Sequence, residues 1–546
     1  MGSEMCIRDR RHPRMSVLGR SVRSPLSLRL TAALASLVLA LPAAYLIIRN
    51  FTEDADPGGL LFSGRTLGPL VRTIILASIV SALSALIGTA LAWVTTRTDI
   101  PLRKTLRILL ILPLVYPSFL GAAALVRTLN PGGLLNDLVT SLGVESTPTL
   151  SGLWGSVLVL TLFTYPYVLL PVAARFSQLP GSIEQSARLL GNSAWNVFRT
   201  IVLPQASGSI AAGTLLVFLY TISDFGAVAI LRYDTLTRSI ETNQLNRPVA
   251  LALSLVLLIL AAIVVLAERA AQRRRRTTTT SIRADNAVAV SLGKWRIPTL
   301  GAVLATVVLG LGAPLASIIE WSVRGLAQNR ELRLDGGEVA SITGNTLGVS
   351  AVAAFATVLL VLPIAVLHGR YRSRLGGVGN SIAISTFALP GILVALAGTF
   401  FIRQSDWTFE TFNNTLSILI FAYVIRFAAL AMGTTLLAVE SVPQRLRDAS
   451  QTLGADEMRR FRTVDLPLMA PGLLAAGGLV LLSTMKELPI ALLLSPFEFE
   501  TLATRIFGTF NEAFVTEAGL MGLTLVILSF VATWALVIRP LENSRR

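Results

Sequence analysis

Long apolar runs separated by short polar segments dominate the hydropathy pattern of the chain. A helix of about 20 apolar residues crosses the roughly 30 Å hydrocarbon core of a bilayer. Twelve runs reach this length and predict transmembrane helices at residues 30–48, 70–95, 105–127, 151–173, 208–231, 248–267, 297–319, 344–367, 379–402, 414–437, 470–494 and 515–537. The predicted fold class is therefore all-α, a polytopic membrane protein.

Proline and glycine lie inside several of these runs, at Pro113, Pro117, Pro390 and Gly391. They do not exclude a transmembrane helix, because neighbouring helices can satisfy the backbone groups that a proline frees. We therefore expect residues 105–127 and 379–402 to cross the bilayer like the other runs.

One segment of the chain occurs twice with fixed internal spacing. Residues 185–204 read QSARLLGNSAWNVFRTIVLP, and residues 448–467 read DASQTLGADEMRRFRTVDLP. Gly191 and Gly454 each precede the last proline of their copy by 13 residues (204 − 191 and 467 − 454), and the copies are 263 residues apart (454 − 191). Such self-similarity indicates an internal duplication.

The duplication predicts the domain organisation. Two six-helix modules lie at 30–267 and 297–537, with an N-terminal segment at 1–29, a linker at 268–296 and a tail at 538–546. Pro117 and Pro390 are also equivalent, at an offset of 273 (390 − 117). The first module therefore carries about ten extra residues, which we place at 128–150.

Basic residues concentrate in alternate loops. The chain has 47 Lys and Arg against 31 Asp and Glu, a net charge of +16. The basic residues that fall on one side are Arg20, Arg23, Arg29, Arg97, Arg103, Lys104, Arg107, Arg269, Arg273, Arg274, Arg275, Arg276, Arg283, Lys294, Arg296, Arg539, Arg545 and Arg546. Because short cytoplasmic loops are enriched in Lys and Arg, both termini and the linker are predicted to be cytoplasmic. Aromatic residues do not interleave the linker arginines, so we expect them to face anionic lipid and not nucleic acid.

Few residues offer metal-binding or catalytic chemistry. Hydrophobic residues make up 53% of the chain and charged residues 14%. The single cysteine, Cys6, lies within residues 1–14, which resemble neither a signal sequence nor a structured element and which we treat as a non-native leader. With His12 and His368 as the only histidines, the sequence fixes no metal site. The G-x-x-x-x-G-K-[ST] pattern is absent, so no nucleotide cofactor is expected on this chain.

The repeated segments predict a compact turn between the fourth and fifth spans of each module. Pro180 and Pro443 suit the first turn of a short helix. Gly191 and Gly454 suit a left-handed position just beyond its end. The next helix has an N-cap candidate at Ser193 or Asp456. Pro204 and Pro467 then stop that helix or open the next span.

We call residues 180–204 the first elbow and residues 443–467 the second elbow. Both are expected to face the cytoplasm and to insert apolar residues into a groove on a partner. The apolar candidates are Ala187, Leu190, Trp195, Phe198, Leu453, Met458 and Phe461.

The elbows resemble the EAA loop of ABC importer permeases, whose pattern is roughly EAA-x3-G-x9-I-x-LP. The matching residues of the first copy are Glu184, Gln185, Ser186, Ala187, Gly191, Ile201, Leu203 and Pro204. Those of the second copy are Asp448, Ala449, Ser450, Gly454, Val464, Leu466 and Pro467. Neither copy keeps the glutamate of the pattern, but the Gly and Leu-Pro positions are intact.

The resemblance implies a translocation subunit of a bacterial inner-membrane importer and not an enzyme. Its partners would be two copies of an ATPase subunit that carry ATP-Mg and bind the elbows, together with an external solute-binding protein. The segments around Ser223-Asp224-Phe225 and Met485-Lys486-Glu487 resemble those of fused ferric-iron permeases. Fused permeases for thiamine, small organic cations or phosphonates are close relatives.

Four ionisable residues lie in or near predicted spans, namely Asp224, Lys486, Glu487 and Arg426. Burying such a group in a membrane is costly, so it faces a cavity or finds a partner. One interpretation places Asp224 and Glu487 on the translocation path, where they favour a cation. The other is an internal ion pair, Lys486–Glu487 or Arg426–Glu487, that only stabilises packing.

A secondary transporter is the main alternative from another class, because two parallel six-span repeats also describe that architecture. It would need neither an ATPase nor cytoplasmic elbows. The double G-x9-[IV]-x-LP spacing favours the importer.

Overall fold

The computed structural model describes residues 24–52, 57–131, 133, 140, 143, 149–273, 290–327 and 335–535. The leader at 1–14, the arginines Arg274, Arg275 and Arg276 of the linker, and the tail at 538–546 lie outside the described residues.

Helices form nearly all of the described secondary structure. In the first half they are α1 Leu26–Thr52, α2 Pro57–Leu61, α3 Gly64–Arg97, α4 Arg103–Ile111, α5 Ser118–Leu129, α6 Gly152–Thr164, α7 Pro166–Gln178, α8 Gly181–Leu189, α9 Ala194–Val197, α10 Leu203–Ser223, α11 Gly226–Ile230, α12 Leu236–Thr242 and α13 Arg247–Arg273. In the second half they are α14 Arg296–Val307, α15 Ala313–Ala327, α16 Gly336–Gly369, α17 Arg374–Ser385, α18 Gly391–Ile402, α19 Asp406–Phe412, α20 Leu416–Glu440, α21 Gln444–Thr452, α22 Glu457–Arg460, α23 Leu466–Thr484, α24 Pro489–Leu494, α25 Leu502–Asn511 and α26 Val515–Thr533.

Among the described residues, ten helical stretches are long and apolar enough to cross a bilayer, and two bent helix pairs raise the number to twelve if each pair is one span. This confirms the prediction of an all-α polytopic membrane protein.

The runs at 105–127 and 379–402 are broken near their middle and are not single helices. The helical axes on the two sides of each break differ by 103° and 99°. The breaks fall at Tyr116–Pro117 and Leu389–Pro390, where the residue before the proline is extended, with ψ of 132° and 102°. The proline ring disfavours a helical conformation in the residue before it, which is why both helices end there.

Two other predicted spans end earlier than expected. The runs at 208–231 and 470–494 were predicted as single helices, but α10 ends at Ser223 and α23 at Thr484. Short helices, α11 and α24, follow each end. The charged residues at 224 and at 486–487 occupy these interruptions, where the chain can turn their side chains toward the interior.

The N-terminal span of each half contacts the other half. Helix α1 contacts α16, α17 and α18 of the second half, and helix α15, which continues the span that begins with α14, contacts α5 of the first half as well as α26 of its own half. The hydrophobic cores follow the same exchange, since one core joins first-half residues with Met485 and Met521, and another joins Leu39 with Ile392. The two modules therefore form one bundle with shared cores.

Candidate functional site

A cavity of about 200 Å³ lies where the two halves meet. Its walls include both helix breaks, at Pro117 and next to Gly391, and the ends of α10 and α23. All four ionisable residues singled out in the sequence line it, namely Asp224, Arg426, Lys486 and Glu487. Asp224 and Glu487, which are 263 positions apart in the sequence (487 − 224), therefore lie in one polar site inside the bundle.

Each carboxylate in the cavity lies at the N-terminus of the helix that follows a break. Asp224 accepts a hydrogen bond of 3.0 Å from the Ala227 amide, and the Ser118 hydroxyl at the start of α5 lies beside it. Glu487 lies against Gly391, the first residue of α18, where an added Cβ would collide with its carboxylate oxygen. A helix N-terminus stabilises negative charge, so both acids occupy favourable positions.

Each basic side chain in the cavity bonds to a carbonyl just before a break. Lys486 Nζ donates to the Leu114 carbonyl oxygen at 3.1 Å, and Arg426 donates to the Leu389 carbonyl oxygen at 2.8 Å. Free carbonyls at a helix C-terminus favour a positive charge. No ion pair within 4.0 Å joins these four described side chains, but Arg426 and Glu487 interact electrostatically within the cavity.

The two breaks therefore have equivalent sets of charged groups. A basic side chain bonds to the carbonyl before each break, Lys486 at the first and Arg426 at the second. An acidic side chain lies at the start of the following helix, Asp224 at the first break and Glu487 at the second. The sequence pointed to the charged members but missed Ser118 and Gly391. These two residues follow the aligned prolines Pro117 and Pro390, and that alignment was the available signal.

The elbows have the predicted helix–glycine–helix geometry. Gly191 has φ of +87° and Gly454 has φ of +80°, both left-handed. Ser193 and Asp456 accept hydrogen bonds from the amides of Asn196 and Arg459, as N-caps do. Pro180 and Pro443 are the N-caps of α8 and α21, one position before the first turn that was predicted for them.

The second helix of each elbow runs directly into the next span. Residues Phe198–Val202 and Phe461–Asp465 form one π-helical turn each, and α10 and α23 begin at Leu203 and Leu466. Pro204 and Pro467 therefore open the span and do not stop the helix. A π-turn widens the hydrogen-bond register just before a residue that has no N–H to donate.

The EAA-like residues divide between two environments. Gln185, Ser186, Gly191, Pro204, Asp448, Ala449, Gly454, Leu466 and Pro467 are exposed. Ile201, Leu203, Ser450 and Val464 are partly buried, and Glu184 and Ala187 are buried.

The exposed apolar surface of the elbows differs from the expected one. Leu190, Trp195, Leu453 and Met458 are exposed as predicted, and Leu189 joins them at 88% exposure. Ala187 is buried, Phe198 packs against Trp93 and Trp195, and Phe461 packs against the second-half core. These three residues are therefore part of the support of the elbows and not of their outer face.

Comparison with known proteins identifies the family. Residues 84–277 and 361–539 each match the sequence profile of the family described as "Binding-protein-dependent transport system inner membrane component", and together they cover more than half of the chain. The chain belongs to this family. Each match contains one elbow and one of the two cavity carboxylates, so both halves of this ABC importer permease carry the same set of parts.

Known permeases match at different lengths. The Fe(3+)-transport system permease protein FbpB 2 of Haemophilus influenzae is 28% identical over 525 residues, which cover 94% of this permease and 98% of the relative. The sulfate transport system permease protein CysT of Escherichia coli is 25% identical over 243 residues, 43% of this chain and 86% of the relative. The molybdenum transport system permease protein ModB of Azotobacter vinelandii is 29% identical over 170 residues, which cover 31% of this chain and 74% of the relative.

Proposed function

We propose that this permease imports ferric iron delivered by an external binding protein. The carrying observation is the alignment with an Fe(3+) permease over nearly the full length of both chains, which includes both modules and the linker between them. The two carboxylates of the cavity support this proposal, because hard cations prefer oxygen ligands. A weak site is expected, since a path that binds its substrate tightly cannot release it.

The elbows are the docking sites for two ATPase subunits in this proposal, one per half. Their outer faces carry large exposed side chains, at Leu190, Trp195, Leu453 and Met458, that fit a partner's apolar groove. ATP-Mg would bind the partner and not this chain. Closure of the ATPase pair would then move the elbows and, through the continuous helices α10 and α23, the walls of the cavity.

The orientation follows from the same proposal. Both elbows, both termini and the linker face the cytoplasm, and the inner membrane of a bacterium surrounds the bundle. The loops at 50–69, 128–150, 231–247, 319–342, 403–413 and 495–514 are on the outer side and receive the binding protein.

An oxyanion is the second candidate substrate. Lys486 and Arg426 place two cations in the same cavity, and relatives named for sulfate and molybdenum align with part of the chain. Thiamine and other organic solutes remain further alternatives within the same architecture.

The deciding experiment reconstitutes the permease with its cognate ATPase subunit in proteoliposomes. Binding proteins loaded with ferric iron, sulfate, molybdate or thiamine are added from outside, and ATP hydrolysis and uptake are measured. Stimulation by the ferric-loaded protein alone supports the proposal. Stimulation by another loaded protein reassigns the substrate, and uptake without any ATPase supports a secondary transporter.

The role of the cavity carboxylates is tested by combining Asp224→Asn with Glu487→Gln. If they line the path of a cation, uptake slows about tenfold, equivalent to about 1.4 kcal/mol of barrier. The measurement is uptake against ATP hydrolysis, with thermal stability in parallel, and Glu487→Asp is the charge-preserving control. Unchanged uptake with a lower melting temperature would assign these residues to structure alone.

A further inference from the structure

A buried arginine attaches each elbow to the helix bundle. Arg97 is the last residue of α3, is 1% exposed and forms an ion pair of 2.8 Å with Glu184 on the first elbow. Arg370 directly follows α16 and forms an ion pair of 2.6 Å with Asp465 on the second elbow. The two arginines are equivalent, because their offset of 273 (370 − 97) is the one that relates the proline breaks downstream.

The acid that pairs with the arginine is at a different place in each half. At the offset of 263 that relates the elbows, Glu184 corresponds to Arg447 (447 − 184), and Asp465 corresponds to Val202 (465 − 202). The acid therefore lies at the start of the first elbow and at the end of the second elbow. An elbow without its acid would leave a buried guanidinium uncompensated, which is strongly unfavourable.

Two further arginines converge on the acid of the second elbow. Arg447 lies 3.5 Å and Arg460 3.9 Å from the Asp465 carboxylate, and all three side chains are largely buried. In the first half, the position of Arg460 is held by Val197 (460 − 197 = 263). Burial lowers the pKa of Arg370, and the Asp465 carboxylate opposes this shift.

The two arginines contact different parts of their elbows. Arg97 also donates to the carbonyls of Phe176 and Leu179, where the chain leaves α7 and enters the first elbow. Arg370 contacts the Met469 sulfur at 3.2 Å, in the first turns of α23 beyond the second elbow. The first attachment thus holds the start of its elbow, and the second holds its exit into the membrane.

We propose that Arg97 and Arg370 are positioning residues that make each elbow move as one body with α3 or α16, through Glu184 in the first half and Asp465 in the second. Helices α3 and α16 run from these arginines into the bundle. A displaced elbow therefore also displaces α3 or α16, although neither helix is next to the elbow in the sequence. This inference rests on the proposed role of the elbows in ATP-driven import.

The test rebuilds the first attachment inside the second elbow. Asp465→Val removes the acid and leaves Arg370, Arg447 and Arg460 together. The triple variant Arg447→Glu, Arg460→Val and Asp465→Val gives the second elbow the same side chains that the first elbow has at the equivalent positions. Asp465→Asn, which keeps the shape of the side chain and removes its charge, serves if Asp465→Val does not insert.

The readout is substrate taken up per ATP hydrolysed in the reconstituted complex. We expect this ratio to fall about tenfold in Asp465→Val or Asp465→Asn and to return to within about twofold of the parent in the triple variant. Copurification of the ATPase and the melting temperature are followed in each variant, because a purely structural role would lower stability with no change in the ratio.

Glu184→Gln provides the matched test of the first elbow, with the same expected fall. The inference is overturned if the ratio is unchanged in Asp465→Asn and Glu184→Gln, or if the triple variant retains the ATPase but does not recover. Failure of the proposed function is distinguishable, because the parent complex itself would then show no uptake that depends on ATP.

Discussion

At the scale of single residues, the elbow glycines carry the clearest constraint. Gly191 and Gly454 adopt φ of +87° and +80°, and a Cβ added at either position would meet no atom within 4 Å. The constraint is therefore on backbone conformation and not on space. A β-branched residue disfavours the left-handed conformation, whereas asparagine tolerates it.

The double variant Gly191→Val and Gly454→Val should uncouple ATP hydrolysis from uptake while the protein still inserts. The strain is about 1–2 kcal/mol at each elbow, enough to shift the turn. Uptake per ATP is the measurement, and Gly191→Asn with Gly454→Asn is the control that should retain coupling. Undiminished uptake in the valine variant would contradict the elbow geometry as the coupling element.

The sequence predicted these residues because their signal is local. A glycine, an N-cap residue two positions later and a proline 13 positions after the glycine occur in both elbows, and each has its own conformational preference. The arginine attachments were not predictable in the same way, because Arg97 and Glu184 are far apart in the chain and their acids do not align between halves. Only the fold brings such pairs together.

At the scale of secondary-structure elements, the two broken spans are the main departure from the sequence prediction. Apolar residues lie on both sides of Pro117 and of Pro390, so each run looked continuous in the sequence. The break depends on the extended residue before each proline and on groups from other elements that stabilise the exposed helix ends. The sequence identified the charged groups as candidates but did not show which of them lies at which break.

At the second break, the serine and aspartate of the first break should be tolerated only when both are introduced together. Gly391→Ser alone places a side chain where the Glu487 carboxylate lies, and overpacking of this kind typically costs about 1–3 kcal/mol. Adding Glu487→Asp shortens the acid and reproduces the Ser118 and Asp224 arrangement of the first half. We expect the melting temperature and uptake to fall in the single variant and to recover in the double variant. Equal loss in both would show that the halves are not interchangeable at this point.

At the scale of the whole molecule, Lys486 provides a polar contact between the halves. Its bond to the Leu114 carbonyl crosses from the second module to the first, whereas Arg426 bonds within the second module. Two rigid halves that move relative to each other keep internal contacts and exchange those between them. The cavity therefore contains one charged bond that opening would break.

Lys486→Met should loosen the contact between the halves and raise ATP hydrolysis in the absence of a loaded binding protein. Hydrogen bonds to charged groups contribute about 1.5–3 kcal/mol, which bounds the shift in the resting equilibrium. Basal hydrolysis by the reconstituted complex is the measurement, and the exposed Lys104→Met is the control. An unchanged basal rate of ATP hydrolysis would show that the Lys486 contact does not stabilise the resting arrangement of the two halves.

The orientation of the molecule can be tested with single cysteines, because Cys6 is the only cysteine in the sequence. In a Cys6→Ser background, Leu453→Cys and Leu189→Cys should react with an impermeant thiol reagent only from the cytoplasmic side. Leu245→Cys and Phe497→Cys, which are 85% and 83% exposed, should react only from outside. Outward labelling of either elbow would overturn the importer topology.

The exchange of first helices has a consequence for how the polypeptide could be divided. Since α1 packs on the second half and α15 also contacts α5 of the first half, the two halves are joined by noncovalent contacts in addition to the linker. Two separately translated fragments, divided within residues 274–289, should assemble into a working heterodimer. Either fragment alone would expose to the lipid the apolar surface that the other fragment covers. Covalent fusion would then serve stoichiometry, since it guarantees one copy of each unlike half in every complex.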